Sequence, residues 1–415
     1  MVMVKFLGSL ISVDEAVNKA TRAFKDLVEL RIIEKTVWDA LYYVSAEDIL
    51  ALIDQPRYDR SAVDGYAVIS SDTTGASPTN PAILRVKGYM SPSSTPEEYV
   101  VRNGEAVELA TGAPLPLGAD AVVMYEDTNR VGDEVEIYKP VPSGANVSRK
   151  GEDYRKGEVL VKKNTLLKPW HLSIIASTGI NSVKVYEKLR IGVIGTGSEL
   201  VEPGYKLSSG QIYNSTSVLV KNYVETLGLA KGKYYGVFPD EKEVLREALF
   251  KALRENHLVI TTGGTGVSDE DVIRDIVDEY GEWVFRGVAM RPGRPTSAAI
   301  INDKPVFLLS GYPVAAWTGL EAIVSPTIYS ILGLEKPVKP VVQGILARRV
   351  PNTVGYRSYI RVTTRIGPGN KVIVEPYMLK GSGILSSLVK TNGYIILYEN
   401  IEGYEKGSIV DVILY

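Results

Sequence analysis

The stretch Leu189-Arg190-Ile191-Gly192-Val193-Ile194-Gly195-Thr196-Gly197-Ser198-Glu199-Leu200 decides the fold of the centre of the chain. It begins with a short apolar run and ends in a glycine-rich loop, an order typical of a buried strand followed by a ligand-binding turn. Further apolar runs follow it, and amphipathic segments separate most of them. Strands that alternate with helices in this way predict a mostly parallel sheet covered on both faces.

The predicted α/β domain spans residues 186–333 and has three layers, with helices on either side of the sheet. Its strands are predicted at Leu189–Ile194, Tyr234–Phe238, Leu258–Thr262, Trp283–Val288, Ala298–Ile301 and Val306–Leu309. Its helices are predicted at Ser217–Leu227, Glu241–Arg254, Asp271–Tyr280 and Val314–Leu332.

The chain before this domain has a different pattern. Residues 12–53 predict two helices, and Ser12 with Glu15 forms an S-x-x-E capping box at the start of the first. Residues 145–188 contain a glycine-rich hairpin and a predicted helix near 169–178. We expect this stretch to pack beside the N-terminal helices, so that the residues between them form an insertion.

Two parts of the chain are predicted to contain only β-structure. Residues 56–144 carry many Gly, Pro, Ser and Thr between short apolar runs, and the tail after residue 334 alternates in the manner of a small barrel or sandwich. The predicted domains are a helical or hinge domain (1–55 with 145–185), an inserted β domain (56–144), the α/β domain (186–333) and a C-terminal β domain (334–415).

Composition excludes several classes of function. The chain has 415 residues, a net charge of -2, no cysteine and two histidines, His171 and His257. Disulfides, thiolate metal sites and a Ser-His-Asp triad are therefore not expected, and the absence of a basic run argues against nucleic acid as a partner. No apolar run reaches 18 residues and the N-terminus does not resemble a signal peptide, so we expect a cytoplasmic protein without a membrane span.

Glycine, hydroxyl and charged residues follow the predicted strands. Because ligands of open α/β sheets bind beyond the carboxyl ends of the strands, these loops predict a site for an anionic, phosphate-bearing small molecule. The first loop lacks the third glycine of a dinucleotide fingerprint, since position 200 is Leu, which argues against NAD. The candidate substrate-binding residues are Gly195, Thr196, Gly197, Ser198, Gly263, Gly264, Thr265, Gly266, Arg291, Arg294, Ser297, Ser310 and Pro313.

Three acidic residues follow neighbouring strands of the predicted sheet. Glu199, Asp240 and Asp271 could share a hard cation such as Mg²⁺, because carboxylate oxygens are the ligands that such cations prefer. The alternative is that they are solvated loop acids. Asp271 also fits an S-x-x-D pattern that starts at Ser268, and it could act only as a helix cap.

The stretch from Trp283 to Asn302 contains three arginines and no acid. Arg291 and Arg294 lie in a loop that Pro292 and Pro295 stiffen. Two planar guanidinium groups on a rigid loop suit a tetrahedral oxyanion or a phosphate. The alternative is a surface turn whose arginines are solvated.

Several longer motifs occur along the chain, some in the loops after the predicted strands and others in the N-terminal half. They are D-R-S-A-V-D-G-Y-A (59–67), A-T-G-A-P-L-P (110–116), G-A-D-A-V-V (118–123), R-K-G-E-D (149–153), G-T-G-S-E-L (195–200), G-Q-I-Y-N (210–214), T-T-G-G-T-G (261–266) and R-P-G-R-P (291–295). In this order and over essentially the whole chain, the sequence resembles the MoeA family of molybdopterin molybdenumtransferases, which includes the E domain of gephyrin.

The resemblance implies a fold and a reaction. The fold is a helical or hinge part, an inserted β part, an α/β part shared with MogA and a C-terminal β-barrel. The assembly is a homodimer whose cleft is completed by the partner's N-terminal half. The reaction is a step of molybdenum cofactor biosynthesis in which molybdate or tungstate is inserted into adenylylated molybdopterin while AMP leaves with the help of Mg²⁺. An upstream molybdopterin adenylyltransferase is a possible partner.

Residue by residue, the resemblance adds two N-terminal positions to the site. Asp64 and Thr111 match functional residues of the family, and Glu199, Asp240 and Asp271 match its acidic cleft residues. Two loops depart from the family. R-P-G-R-P replaces K-P-G-K-P, and Ser310-Gly311-Tyr312-Pro313 replaces P-G-N-P, which puts the shape of that second loop in doubt.

Other functions share parts of this pattern. A MogA-like adenylyltransferase or a CinA-type nucleotide pyrophosphatase would share the α/β domain and T-G-G-T-G, but neither accounts for D-R-S-A-V-D-G-Y-A or the β-only tail. A non-catalytic scaffold, the role of the gephyrin E domain when it clusters receptors, is a third possibility. The sequence does not distinguish molybdate from tungstate.

Overall fold

The computed structural model describes residues 9–264, 272–377 and 381–415. They form an α/β domain, a closed β-barrel at the C-terminus, and an N-terminal region that is mainly β-structure. Within the described ranges, no helix is both long and apolar enough to cross a lipid bilayer.

The α/β domain is built on a six-stranded sheet. Four neighbouring strands of this sheet are parallel: Ala230–Phe238, Leu189–Thr196, Leu258–Thr262 and Lys304–Leu309. The next strand, Ser297–Ile301, runs antiparallel to Lys304–Leu309. The prediction of a mostly parallel sheet is thus confirmed. In sheet order, the strands are Ala230–Phe238, Leu189–Thr196, Leu258–Thr262, Lys304–Leu309, Ser297–Ile301 and Gly281–Phe285.

Helices cover both faces of this sheet. In strand Leu189–Thr196, Ile191 and Val193 belong to one apolar cluster, whereas Ile194 belongs to another on the opposite face. Successive side chains of a strand point to opposite faces, as this arrangement requires. The helices are Thr216–Thr226, Lys242–Glu255, Val272–Tyr280 and a long helix from Pro313 to Ile331 that includes a π-helical turn at Leu320–Val324.

The N-terminal segment contains one helix, Val13–Phe24, and Ser12 caps it by accepting a hydrogen bond from Glu15 N (3.2 Å). The prediction of a second helix before residue 53 was wrong. This part forms strands Ile32–Thr36, Val44–Ser45 and Ile49–Leu50 instead. β-Branched residues favour strands, and tertiary pairing completes the strand at 32–36.

The stretch 145–188 returns to the N-terminal segment as expected. Strand Ser182–Tyr186 pairs with Ile32–Thr36, and strand Val159–Val161 pairs with Ile49–Leu50. Helix Pro169–Ser177 lies between these strands in the chain. The chain between the two segments is therefore an insertion in this unit.

The inserted chain forms its own six-stranded sheet. Two apolar clusters, one around Tyr66 and Val123 and the other around Val107, are made only of residues of this inserted chain and its flanking turns. The strands are Gly65–Val68, Ala82–Met90, Glu105–Leu109, Ala121–Met124, Thr128–Val131 and Glu134–Ile137, with a short pair, Arg60–Ser61 and Val147–Ser148, at the base.

The C-terminal strands close into a barrel, because each of five strands pairs with two of the others. Met290–Arg291 of the α/β domain adds to the strand Arg357–Ile366, so backbone hydrogen bonds tie the barrel to the R-P-G-R-P loop. The barrel strands are Val341–Leu346, Arg357–Ile366, Val372–Pro376, Gly393–Leu397 and Ile409–Leu414, beside a short pair, Val350–Pro351 and Gly403–Tyr404, and a helix, Ser386–Val389.

A buried carboxylate joins the α/β domain to the barrel. Glu321, in the π-helical turn, accepts hydrogen bonds from Lys336 Nζ (3.0 Å), Lys339 Nζ (2.8 Å), Tyr223 OH (2.5 Å) and Tyr394 OH (3.2 Å). Burial acts to raise the pKa of Glu321, but the two ammonium groups outweigh it and lower the pKa to about 2. The carboxylate is therefore ionised and fully hydrogen-bonded in the interior.

Candidate functional site

The ends of the parallel strands touch one another at one edge of the sheet. Gly197 N donates to Phe238 O (3.1 Å), and Gly263 N donates to Leu309 O (3.1 Å). Gly263 has φ +99°, and a Cβ there would stand 2.1 Å from Thr196 O. Only glycine therefore permits the loop after strand Leu258–Thr262 to lie against the end of strand Leu189–Thr196. This close approach leaves a glycine-lined edge that a ligand can approach closely.

Asp240 forms hydrogen bonds with the end of strand Leu189–Thr196 and the loop that follows it. Its Oδ1 accepts from the Thr196 hydroxyl (2.8 Å), its Oδ2 accepts from Ser198 N (3.2 Å), and its own N–H donates to Ser198 Oγ (3.1 Å). The residue is exposed. A carboxylate has about four lone-pair sites, so each oxygen of Asp240 keeps one for a cation.

Glu199 lies on the same loop. A Cβ on Gly197 would stand 2.8 Å from Glu199 Oε2, so the carboxylate folds back over that glycine. Glu199 is exposed, and its carboxylate forms no ion pair with any residue in the described ranges. Glu199 and Asp240 are thus two exposed carboxylates that both lie against residues 196–198.

The third predicted cation ligand, Asp271, lies outside the described residues, as do Thr265 and Gly266. Among the residues that the structure does describe, no group of three or more His, Asp or Glu could hold a metal ion. The cation site predicted for Glu199, Asp240 and Asp271 stays a prediction, with two of its three members placed.

A cavity of about 270 Å³ opens beside the glycine-lined edge. None of the described residues that line it is charged, and its wall includes Tyr213, Thr216, Tyr312 and Pro313. The Thr216 hydroxyl donates to the carbonyl of the Gly311 loop (2.6 Å). This cavity suits a ligand that is flat, polar and uncharged at that end.

Ser310 shapes the loop that replaces P-G-N-P. Its Oγ accepts from Tyr312 N (3.2 Å), and the residue is buried. Pro313 then occupies the first position of the long helix, where a proline fits without loss of a helical hydrogen bond. The structure therefore gives Ser310 a backbone-fixing contact and Pro313 a place in the cavity wall.

A second cavity, of about 400 Å³, lies between the R-P-G-R-P loop and the barrel. Arg291 and Arg361 both line it, and none of its described lining residues is acidic. Arg291 Nη1 donates to Thr353 Oγ1 (2.7 Å), and its guanidinium stacks 4.1 Å from the centre of the Tyr356 ring. The cavity therefore has a positive wall.

Arg361 is a residue that we did not single out from the sequence. It is 3% exposed, its Nε donates to Ser387 Oγ (3.2 Å), and its Nη1 donates to Tyr359 O (3.2 Å). Burial lowers the pKa of this guanidinium, and no described carboxylate pairs with it. The sequence does contain a hint of this role, because Arg361 is the one charged residue in the otherwise uncharged stretch 358–364.

The other two predicted residues of this loop differ in their surroundings. Arg294 is half-buried, its carbonyl accepts from Val288 N (2.9 Å), and no described residue pairs with its guanidinium. Ser297 is buried, and its Oγ accepts from Gly287 N (3.2 Å) and donates to Pro295 O (3.0 Å). Arg294 is available for a ligand, whereas the contacts of Ser297 are with its own loop.

The two cavities share a wall. Gly381 and Ser382 line the arginine cavity, and Gly383 lines the uncharged one. Val314 N donates to Ser382 O (3.0 Å), which fixes this segment against the start of the long helix. The two cavities are therefore neighbours on either side of the segment Gly381–Gly383.

The N-terminal pair, Asp64 and Thr111, lies in the inserted sheet. Asp64 Oδ1 accepts from Thr111 N (2.7 Å), so the two motifs are adjacent in space. In the parts of the chain that the structure describes, no hydrogen bond or ion pair links residues 56–147 with residues 189–415. Contacts within one subunit therefore do not bring this pair to the glycine-lined edge.

Comparison with protein families matches three successive regions that together cover most of the chain. Residues 11–179 match the MoeA N-terminal region (domain I and II), residues 192–330 match a probable molybdopterin binding domain, and residues 343–415 match the MoeA C-terminal region (domain IV). The three matches follow the order of the structural units described above.

Individual relatives agree along the full length. A Methanocaldococcus jannaschii protein named "Putative molybdopterin biosynthesis protein" is 40% identical over 100% of both chains, and a molybdopterin molybdenumtransferase of Staphylococcus aureus is 32% identical over 97% of this chain and 95% of its own. The molybdopterin biosynthesis MoeA protein of Pyrococcus horikoshii has a crystal structure that matches with a TM-score of 0.83, 32% identity and coverage of 98% and 100%. The chain belongs to the MoeA family.

Proposed function

We propose that this chain is a molybdopterin molybdenumtransferase of molybdenum cofactor biosynthesis. It inserts molybdate or tungstate into adenylylated molybdopterin and releases AMP in a Mg²⁺-dependent step. The observation that carries this proposal is the pair of adjoining cavities, one uncharged and one lined by Arg291 and Arg361. A pterin and a tetrahedral oxyanion need those two environments side by side.

The arginines supply the oxyanion end of the site. Arg291, Arg294 and Arg361 have no carboxylate partner among the described residues, so none of those residues neutralises their charge. Guanidinium groups bind tetrahedral oxyanions through paired N–H donors in a fixed plane. These three side chains hold the molybdate or tungstate that enters the dithiolene of the pterin.

The acidic residues and glycines of the strand-end loops form the part of the site that binds the phosphates of the substrate. Glu199 and Asp240 fit Mg²⁺, because both are exposed carboxylates with free lone pairs at the ends of two neighbouring strands. These two carboxylates would hold Mg²⁺, which would supply positive charge beside the phosphate oxygens. The backbone of Gly195, Gly197, Gly263 and Gly264 lets the phosphoanhydride approach closely, and Asp271, Thr265 and Gly266 are assigned to the same end of the site.

The test of the function is release of AMP from adenylylated molybdopterin by the purified chain. We expect release only when Mg²⁺ and molybdate or tungstate are both present. Adenylylation of molybdopterin from ATP would favour the MogA-type reaction, and cleavage of nucleotides that contain no pterin would favour the CinA type. Complete inactivity of a folded chain would favour a scaffold. Competition between the two oxyanions decides which metal the enzyme prefers.

We also propose a homodimer in which Asp64 and Thr111 complete the cleft of the partner subunit. What supports this is that no described hydrogen bond or ion pair links residues 56–147 with residues 189–415 of the same subunit, together with the match to the family's motifs. We assign the enzyme to the cytoplasm, where an upstream molybdopterin adenylyltransferase is a candidate partner for transfer of the adenylylated pterin.

Subunit complementation tests this arrangement. Asp64→Asn keeps the acceptor for Thr111 N and removes the charge, and Glu199→Ala removes an acid of the α/β edge. A heterodimer of these two inactive variants should regain about half of the wild-type activity, because one of its two clefts has both residues intact. Differently tagged subunits, purified through both tags, provide the sample.

The controls for complementation are the two mutant homodimers, which should stay inactive under the same conditions. An inactive heterodimer of verified composition would place Asp64 and Glu199 in the cleft of a single subunit, or Asp64 outside the cleft, and would contradict the shared site.

A further inference from the structure

An exposed aromatic side chain stands at the uncharged cavity. Tyr312 is 63% exposed and lines this cavity together with Tyr213, Thr216 and Gly383. The residue lies in the loop where this chain departs from the P-G-N-P of its family. A large apolar ring that remains exposed beside a concave site is a common mark of a binding surface.

The backbone of Tyr312 is fixed before any ligand binds. Its N–H donates to Ser310 Oγ (3.2 Å), and its carbonyl accepts from Ala316 N (2.9 Å) in the first turn of the long helix. The carbonyl of the preceding residue, Gly311, accepts from the Thr216 hydroxyl (2.6 Å). Three hydrogen bonds therefore set the direction in which the ring leaves the chain.

The opposite wall makes room for this ring. A Cβ on Gly383 would stand 3.1 Å from Tyr312 Cδ1 and 3.5 Å from Cε1, so only glycine lets the segment after Ser382 pass along the ring without a shift. Val314 N holds that segment through Ser382 O (3.0 Å). One edge of the ring is thus packed while most of its surface stays free.

We propose that Tyr312 is a specificity-determining residue whose ring stacks on the pterin of the adenylylated substrate. This proposal rests on the proposed function. The pterin is the planar ring that the site must hold beside the arginine cavity, because the dithiolene that receives the oxyanion is attached to it. A Tyr ring binds a flat heteroaromatic ring through its face, which requires no charge in the cavity and agrees with its uncharged lining.

The experiment measures equilibrium binding to the full-length protein by fluorescence titration, with adenylylated molybdopterin and AMP alone as separate ligands. Aromatic stacking on a base is worth about 1–3 kcal/mol by alanine substitution, so Tyr312→Ala should weaken binding of adenylylated molybdopterin by about tenfold or more. Tyr312→Phe should bind within about twofold of wild type, and neither change should alter AMP binding. Tyr312→Asn, which restores the family residue, should resemble Tyr312→Ala.

Trp170→Ala is the matched control, since Trp170 is 62% exposed on helix Pro169–Ser177 and lines neither cavity. Wild-type affinity in Tyr312→Ala would overturn the proposal, and so would an equal loss in Tyr312→Phe, which would assign the effect to the hydroxyl. Equal losses for AMP would assign the ring to the adenine. Failure of the wild-type chain to bind adenylylated molybdopterin would overturn the proposed function itself.

Discussion

Asp240→Asn is expected to lower kcat/KM for adenylylated molybdopterin by about a hundred- to a thousandfold. Asparagine keeps the size and one acceptor of the side chain, so the contacts with Thr196 and Ser198 can partly persist. What the change removes is the negative charge that a cation needs. Loss of a group that acts on charge in the transition state typically costs this much.

The measurement is AMP release as a function of Mg²⁺ concentration. In the variant, the Mg²⁺ concentration for half-maximal rate should rise together with the fall in rate. Thr196→Val is the matched control, because it deletes the hydrogen bond to Asp240 Oδ1 but leaves the carboxylate charged. Loss of a hydrogen bond to a charged group costs about 1.5–3 kcal/mol, and the exposure of Asp240 favours the lower end, so we expect about a tenfold loss and an unchanged Mg²⁺ requirement.

The alternative is that Asp240 only fixes the loop. In that case Asp240→Asn and Thr196→Val would lose similar amounts of activity, and the Mg²⁺ dependence of both would match that of wild type. That outcome would remove Asp240 from the proposed cation site and leave Glu199 as the only described candidate ligand.

Arg294→Ala is expected to raise the molybdate concentration for half-maximal rate by about ten- to a hundredfold. Arg294 is half-buried, and a charged hydrogen bond in such a place contributes about 1.5–3 kcal/mol. Arg294→Lys should cost less, because it keeps the charge and loses only the planar pair of donors. Arg291→Ala should have an effect of the same order, since Arg291 lines the arginine cavity directly.

Arg286→Ala serves as the control for these variants. It is the third arginine of the same acid-free stretch, but its guanidinium pairs with Asp278 and stacks 4.5 Å from the Trp283 ring. We expect its molybdate response to stay within about twofold of wild type. If Arg294→Ala lost affinity for AMP instead of molybdate, the loop would bind the phosphates of the adenylylated pterin.

The sequence predicts the α/β domain well because its elements are long and locally consistent. Strand Leu258–Thr262 and helix Lys242–Glu255 carry strong periodic patterns, and the structure places both within a residue of the predicted bounds. The stretch Ile32–Thr36 was predicted to be helical and is a strand, because its partner Ser182–Tyr186 lies about 150 residues away in the chain. Such pairing overrides a weak local preference.

The candidate site is predictable only where it lies on loops after strands. Gly263 and Asp240 could be placed at one edge because parallel strands end together. Arg361 could not, since its position beside Arg291 depends on how the barrel docks on the α/β domain. The domain boundaries and the role of Asp271 stay predictions.

The hydrogen-bonded carboxylate in the π-helical turn limits how this chain can be divided. Glu321 belongs to the α/β domain, but Lys336, Lys339 and Tyr394 reach it from beyond residue 333. A chain cut at that point would lose both counterions and one hydroxyl donor of this carboxylate, and would expose it together with the apolar surface that Tyr359 and Tyr394 cover. The α/β domain therefore depends on the barrel to cover this carboxylate, and the two domains are not interchangeable modules.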